Sequence, residues 1–235
     1  MSRRKTIFIN AIIGIMLCVL TGITFSINSS YVFSFSNNDV IYEGNRQSNK
    51  ISLMFNVYSG SEHVARILDI MDSYDVKTTF FLGGIWVEKN INLVKEIVSR
   101  GHEIGNHGYL HLDQDQLDYK QNYDEIYSCH NLIRVHIGVE MNLFAPPSGA
   151  FNNATLESSR NLGYSTIMWS KDTIDWRDQD SSLIYSRATE KTIGGDLILM
   201  HPTEKTVEAL TAILEFYKLQ QLEVVTVSQN LLLTE

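Results

Sequence analysis

Apolar and polar positions follow two periods along this chain, and together they predict an α/β domain from residue 51 onward. Short apolar runs are typical of buried strands, whereas apolar residues at every third or fourth position indicate amphipathic helices. The first unit is a strand followed by a helix that carries Val64, Ile67, Leu68 and Met71 at helical spacing. The predicted strands are 51–55, 77–82, a short strand before His107, 142–145, 164–169, 197–200 and 224–227, with later helices at about 87–100, 119–135, 154–162, 182–192 and 207–219.

Strands that alternate with helices over about seven units predict a parallel sheet, and this number of units favours a distorted β/α barrel. In such barrels, chemistry takes place in the loops after the carboxyl ends of the strands. The polar, motif-like segments of this chain do follow predicted strands. They are 56–58, 107–111, 146–149, 172–176 and 201–202.

The N-terminal segment has a different pattern. A basic tip at residues 1–6 precedes the uncharged apolar run 7–27, which is long enough to form one transmembrane helix. We expect a membrane anchor that leaves the domain on the extracytoplasmic side. The alternative is a cleaved signal peptide, after which the protein would be secreted. A polar linker at 28–50 then leads to the predicted domain at 51–232.

Composition narrows the function further. The chain has 235 residues, 44% of them hydrophobic, which is enough for one sizeable core. Its net charge of −8 argues against nucleic acid as a partner, because binding phosphates requires a basic surface. Cys129 is the one cysteine outside the apolar run, so we expect no disulfide within the domain.

His107 and His111 form the first candidate site. Neutral imidazole is a common zinc ligand, and two histidines four residues apart in a glycine-bracketed segment can converge on one metal ion. The same spacing also occurs in ordinary solvated helices, so the pair needs support from other motifs.

Five motifs in order supply that support, and over roughly 51–232 the chain resembles the NodB-homology polysaccharide deacetylases, carbohydrate esterase family 4. The segments that carry the resemblance are Asn56-Val57, His107 to His111, Ala145-Pro146-Pro147-Ser148-Gly149, Asp175-Trp176 and Leu199-Met200-His201. The resemblance implies a distorted β/α barrel that removes N-acetyl groups from chitin-like or peptidoglycan glycans with one divalent metal, which we expect to be zinc.

The resemblance also implies a role for each matching position. His107 and His111 would bind the metal, His201 would protonate the leaving amine, and Asp175 would orient His201. Ser148, after Pro147, would offer its backbone N–H to the oxyanion, and Trp176 would line the pocket unless it only packs on the barrel rim.

Three positions depart from the family pattern. Asn56 stands where the family has its catalytic aspartate, Val57 where it has a metal-binding aspartate, and Ala145 where an arginine orients the catalytic aspartate. Removing a buried arginine together with its carboxylate partner avoids leaving a lone buried charge, so the changes are consistent with a settled variant. In these positions the chain resembles a sporulation-linked subgroup of the family, which has Asn-Val after the first strand and Ala-Pro-Pro-Ser-Gly later.

Two functions follow from these departures. One is an N-deacetylase that acts on N-acetylated cell-wall glycan by metal-assisted amide hydrolysis. The other is a membrane-tethered, glycan-binding pseudoenzyme. Glu62 is the nearest carboxylate that could replace Val57 as a ligand, although a carboxylate in a first helical turn is also favoured by the helix dipole. Asp172 is expected to cap a loop, and Trp169 to pack in the core.

Overall fold

A curled sheet of short parallel strands forms the centre of the protein, of which the computed structural model describes residues 40–231. The strands lie in the order β5-β4-β3-β2-β1-β7-β6, and β8 pairs with β1. Every strand pair is parallel. Strand bounds are Lys50–Val57 (β1), Thr79–Leu82 (β2), Glu103–Asn106 (β3), Leu143–Phe144 (β4), Ser165–Thr166 (β5), Lys171–Asp172 (β6), Leu197–Met200 (β7) and Glu223–Val224 (β8).

The sheet is an open half-barrel. In the described residues, β5 and β6 form its two edges and do not pair with each other. Near the edge at β5, Ile41 forms a parallel bridge with Ile167, and Glu43 bridges Asp196 immediately before β7. The expected barrel is therefore distorted to the point of being open, with β1 near its middle.

Helices connect the strands and cover the outside of the sheet. Several begin with a side chain that accepts a hydrogen bond from the first turn, as Asp118, Asn152, Asp180 and Thr203 do. Their bounds are Ser61–Ser73 (α1), Gly84–Lys89 (α2), Ile91–Ser99 (α3), Tyr119–Ile137 (α4), Asn153–Asn161 (α5), Ser181–Thr189 (α6), Glu204–Leu219 (α7) and Val227–Leu231 (α8), with 3-10 turns at Gln114–Gln116 and Pro147–Gly149.

The alternation of side chains along β1 divides the core in two. Leu53, Phe55 and Val57 belong to the apolar cluster that also contains helix residues such as Ile67 and Ile213. Ser52, Met54 and Asn56 are buried but lie outside that cluster. Successive strand residues face opposite sides of a sheet, so these even-numbered residues face the inside of the half-barrel.

The sequence pattern predicted most of the helices and strands correctly, but their first and last residues less accurately. The predicted helix 87–100 is two helices, α2 and α3, that meet at Asn90. The two-residue strand β6 and the helix α8 were not predicted, because neither is long enough to show a period.

Two sequence predictions concern the N-terminal part. Residues 40–50 were assigned to the linker, yet Ile41 is buried and Arg46 binds the carboxylate of Asp196 at 2.7 Å. No helix within residues 40–231 is long and apolar enough to cross a bilayer. The predicted membrane segment 7–27 lies outside the described residues.

Candidate functional site

A cleft of about 410 Å³ opens where the carboxyl ends of the strands meet. The loops after β1, β3, β4, β6 and β7 all contribute side chains, as the strand-end rule predicted. Its lining residues are Asn56, Tyr58, His107, His111, Ser148, Gly149, Trp169, Asp172, Trp176, Leu199 and His201. Sequence-distant motifs are therefore combined in one site.

His107 is held in one tautomer at the base of this cleft. Its Nδ1 lies 2.7 Å from the carbonyl oxygen of Ala145. Because a carbonyl oxygen can only accept, Nδ1 carries the proton and Nε2 keeps its lone pair. Burial, together with the nearby His111, lowers the pKa of His107 to about 3, so the ring is neutral at physiological pH.

His111 completes the pair. The centres of the two imidazole rings are 5.0 Å apart and the rings are nearly perpendicular, at 70°. Burial lowers the pKa of His111 as well, so it too is available as a neutral ligand. Its backbone adopts a left-handed conformation, with φ 59°, which closes the loop tightly after Leu110.

The loop between the two histidines is fixed from outside the cleft, a feature that sequence reasoning missed. The Oε2 atom of Glu125, on α4, accepts hydrogen bonds from the backbone N–H groups of Tyr109 and Leu110 at 3.0 and 2.9 Å. The N–H groups of Gly84 and Ile85 in turn donate to the carbonyls of Gly108 and Tyr109. These hydrogen bonds fix the backbone of the loop that carries both histidines.

The pair fits two positions of a metal site but not a complete one. Two imidazoles on one zinc, each bound at about 2.1 Å, place their ring centres about 5 Å apart, which matches the observed separation. A third protein ligand is needed, and within residues 40–231 no group of three or more His, Cys, Asp or Glu side chains could hold a metal. The residues present therefore do not fit the expected site.

The end of β1 explains the missing ligand. Asn56 faces the cleft, 3% exposed, and its Oδ1 is buried without a hydrogen-bond partner. Val57 is fully buried in the apolar cluster on the opposite side of the strand and does not line the cleft. Tyr58, the next residue on the cleft side, instead places its ring centre 4.0 Å from that of His111.

Glu62 does not replace the missing ligand. Its side chain is 72% exposed, lies 3.5 Å from the Nε2 of the neighbouring His63, and is not among the cleft residues. The carboxylate that does line the cleft is Asp172, whose Oδ1 accepts the N–H of Ile174 at 2.7 Å, as expected of a loop cap. Burial raises the pKa of Asp172.

His201 and Asp175 form the most complete network of the site. Asp175 is fully buried and accepts from the Nδ1 of His201 at 2.8 Å, from the backbone N–H of His201 at 2.7 Å and from the hydroxyl of Thr206 at 2.7 Å. With Nδ1 engaged, the Nε2 of His201 is the ring atom left for a ligand in the cleft. This arrangement can orient an imidazole as a general acid.

The remaining positions shape the cleft. Ser148 lines it in a left-handed conformation, φ 56°, while Pro147 contributes to the turn and not to the lining. Trp176 is 54% exposed at the rim. Trp169, which the sequence assigned to the core, also lines the cleft and lies against Gly149. Tyr58 belongs to the segment 56–58 predicted to lie at this face, but sequence reasoning assigned it no role, although alternation puts it on the strand face of Asn56.

Comparison with known proteins gives a consistent result. The family model described as polysaccharide deacetylase matches residues 43–167. The Bacillus subtilis protein YlxY is 39% identical over 174 residues, which is 74% of this chain and 54% of YlxY. A peptidoglycan-N-acetylglucosamine deacetylase of Bacillus cereus is 30% identical over 187 residues, 77% of this chain and 87% of that protein.

A solved structure is also similar to this chain. It is a carbohydrate esterase family 4 pseudoenzyme from Bacillus anthracis, with a TM-score of 0.80 and 34% identity over 83% of this chain and 69% of that one. A mutant of that pseudoenzyme with restored enzymatic activity superposes with the same TM-score and 33% identity. The present chain spans about half the length of YlxY.

Proposed function

Because the chain belongs to the polysaccharide deacetylase family, we propose that its cleft binds N-acetylated cell-wall glycan and that amide hydrolysis in this cleft is impaired. The observation that carries the proposal is the end of β1. Neither a carboxylate base nor a third metal ligand is present there, since Asn56 faces the cleft and Val57 faces the core.

The cleft suits a sugar. Aromatic side chains at its rim and wall, Trp176, Trp169 and Tyr58, offer apolar surfaces for the faces of pyranose rings. Asp172, Ser148 and His201 provide polar groups among them for hydroxyl and acetamido groups. A cavity of about 410 Å³ that combines aromatic walls with convergent polar groups has the size of a small-ligand site.

Hydrolysis requires more than binding. A water must lose a proton as it attacks the acetamido carbon, and an amide such as Asn56 has no useful basicity near neutral pH. His201 and Asp175 still provide a general acid. That acid acts only after water has attacked, when the leaving amine takes up a proton. We therefore favour binding over turnover.

A second candidate is the metal-assisted N-deacetylase that the motifs suggest. Two observations favour it: the Nε2 of His107 is free for a metal, and Asp175 orients His201. When bound, a divalent metal such as zinc would supply Lewis-acid activation of water or carbonyl. This candidate depends on a ligand and a base from outside the described residues or from the substrate.

Localisation is part of the proposal. The apolar run 7–27 would tether the domain on the outer side of the membrane, where cell-wall glycan is found, and cleavage of the run would release it. The resemblance to a sporulation-linked subgroup suggests that this takes place during sporulation.

Acetate release and glycan binding separate the two candidates. The full chain, purified in mild detergent, is mixed with N-acetylglucosamine oligomers and with insoluble peptidoglycan, and both released acetate and co-sedimentation are measured. We expect binding without acetate. Trp176→Ala should weaken binding about tenfold, whereas Tyr127→Ala, which removes a similarly exposed aromatic residue outside the cleft, should not. If the parent released acetate faster than a His201→Ala variant, the expectation of binding without hydrolysis would be wrong.

The second candidate can also be tested by introducing the residues that the family pattern has at positions 56, 57 and 145. Changing Asn56→Asp, Val57→Asp and Ala145→Arg together should raise metal affinity and acetate release. Because Val57 lies in the core, the new carboxylate reaches the histidines only if the end of β1 rearranges, so we expect a loss of stability alongside. Equal activity before and after would show that another residue already performs the chemistry.

A further inference from the structure

Tyr58 takes the place beside the histidine pair that a ligand from β1 would need. Asn56 and Tyr58 line the cleft, whereas Val57 between them is buried in the apolar cluster. This is the alternation expected while a strand continues. The first side chain beyond Asn56 on the cleft side is therefore an aromatic ring.

The ring of Tyr58 packs on His111 and lies near the other two histidines of the site, while 43% of Tyr58 stays exposed. Its centre lies 4.0 Å from that of His111, 6.4 Å from that of His107 and 6.3 Å from that of His201. A separation of 4.0 Å between ring centres is direct packing contact, with no room for a water molecule between the rings. Tyr58 therefore covers part of the His111 ring on the side of β1.

The backbone holds Tyr58 in this position. The carbonyl of Val57 accepts the N–H of Gly83 at 2.9 Å, so β1 and β2 stay paired up to the residue before Tyr58. The Cβ of Tyr58 would lie 3.5 Å from a Cβ added to Gly83, an ordinary packing distance. Removing the ring should therefore leave the course of the strand unchanged.

We propose that Tyr58 keeps divalent metal away from His107 and His111 by filling the space in which a third ligand or a metal-bound water would stand. Zinc bound by two histidines must complete its tetrahedral shell with two further donors at about 2 Å. Tyr58 has no carboxylate or imidazole to offer, and Val57 lies on the opposite face of the strand, in the apolar cluster. The loss of metal chemistry then has two parts, a missing carboxylate and an added obstruction.

Zinc affinity tests this proposal independently of turnover. The full chain in mild detergent is titrated with zinc chloride by competition with a chelating dye, and bound zinc is measured by elemental analysis after dialysis. We expect Tyr58→Ala and Tyr58→Ser to bind zinc at least tenfold more tightly than the parent. His111→Ala added to Tyr58→Ala should abolish the gain, which would locate the metal at the pair.

Two control variants sharpen the reading. Tyr58→Phe keeps the ring and should bind zinc as weakly as the parent, and Tyr127→Ala removes an equally exposed tyrosine from α4 and should change nothing. Equal zinc affinity in the parent and in both Tyr58→Ala and Tyr58→Ser would overturn the proposal. So would weaker binding by Tyr58→Phe, because the phenol would then be a ligand. Glycan binding by the parent in the presence of EDTA is scored separately, so that failure of the proposed function is distinguishable from failure of this inference.

Discussion

The two sides of the cleft differ in how completely their polar groups are satisfied. On the side of β7, Asp175 accepts three hydrogen bonds, two from His201 and one from Thr206. On the side of β1, the buried Oδ1 of Asn56 has no partner, and its neighbours are Val57 and Tyr58. One side is a closed network, and the other combines apolar packing with one unpaired amide.

This difference shows why the two sides can diverge in sequence. A buried carboxylate that satisfies several donors contributes to folding, so its removal costs stability whatever the fate of catalysis. The side chains at the end of β1 have no such hydrogen-bond partners. An apolar residue can therefore stand there without leaving a buried donor unpaired. Retention of Asp175 and His201 is therefore weaker evidence for hydrolysis than it is for a stable cleft.

The largest effect on stability is expected when a carboxylate is introduced at position 57. Val57→Asp should lower the free energy of unfolding by about 4 kcal/mol, because it places an unpaired charge in the apolar cluster. Asn56→Asp, one residue earlier but facing the cleft, should cost about 1 kcal/mol. Urea denaturation of the two variants measures the difference. Equal costs would mean that residue 57 does not face the core.

The next effect concerns the closed network. Asp175→Ala should lower the free energy of unfolding by about 3 kcal/mol, since it leaves the donors of His201 and Thr206 without an acceptor. Asp172→Ala, which removes a cleft carboxylate with one backbone donor, should cost about 1 kcal/mol. Thermal or urea unfolding compares them. If the two variants were equally stable, the contrast between the sides would lose its energetic basis.

A smaller effect is expected at the support of the histidine loop. Glu125→Ala leaves the N–H groups of Tyr109 and Leu110 without their acceptor and should cost about 2 kcal/mol. Hydrogen exchange at these two amides should speed up more than exchange in β1. Asp124→Ala removes the adjacent, solvent-exposed carboxylate and serves as the control. Unchanged exchange in Glu125→Ala would assign the rigidity of the loop to α2 alone.

The smallest effect belongs to the turn at Ser148. Ser148→Gly should raise the free energy of unfolding by at most about 1 kcal/mol, because glycine adopts φ 56° without strain. Glycan binding should persist if Ser148 acts only through its backbone. At the neighbouring position the opposite effect is expected: Gly149→Ala should destabilise, since the added Cβ would lie 2.7 Å from the ring of Trp169. Loss of binding in Ser148→Gly, measured by co-sedimentation, would assign the contact to the hydroxyl.

The sequence by itself determined the architecture and most of the site. Periodicity located the principal strands, and the positions after them indicated that His107, His111, Ser148, Trp176 and His201 would share one cleft. This succeeds because the carboxyl ends of parallel strands meet at one edge, so the order of motifs along the chain implies their proximity. The resemblance also predicts that positions 56, 57 and 145 depart from the family pattern, which stays a prediction.

Only the tertiary structure decided where the side chains at the end of β1 lie. The strand alternation continues past Asn56 in the folded protein. As a result, Val57 lies in the core and Tyr58 lies against His111. Glu62 is close to the site in sequence but stands exposed on α1, whereas Glu125 is distant in sequence and supports the histidine loop. Contacts of this kind arise from packing between elements, which no local pattern of residues encodes.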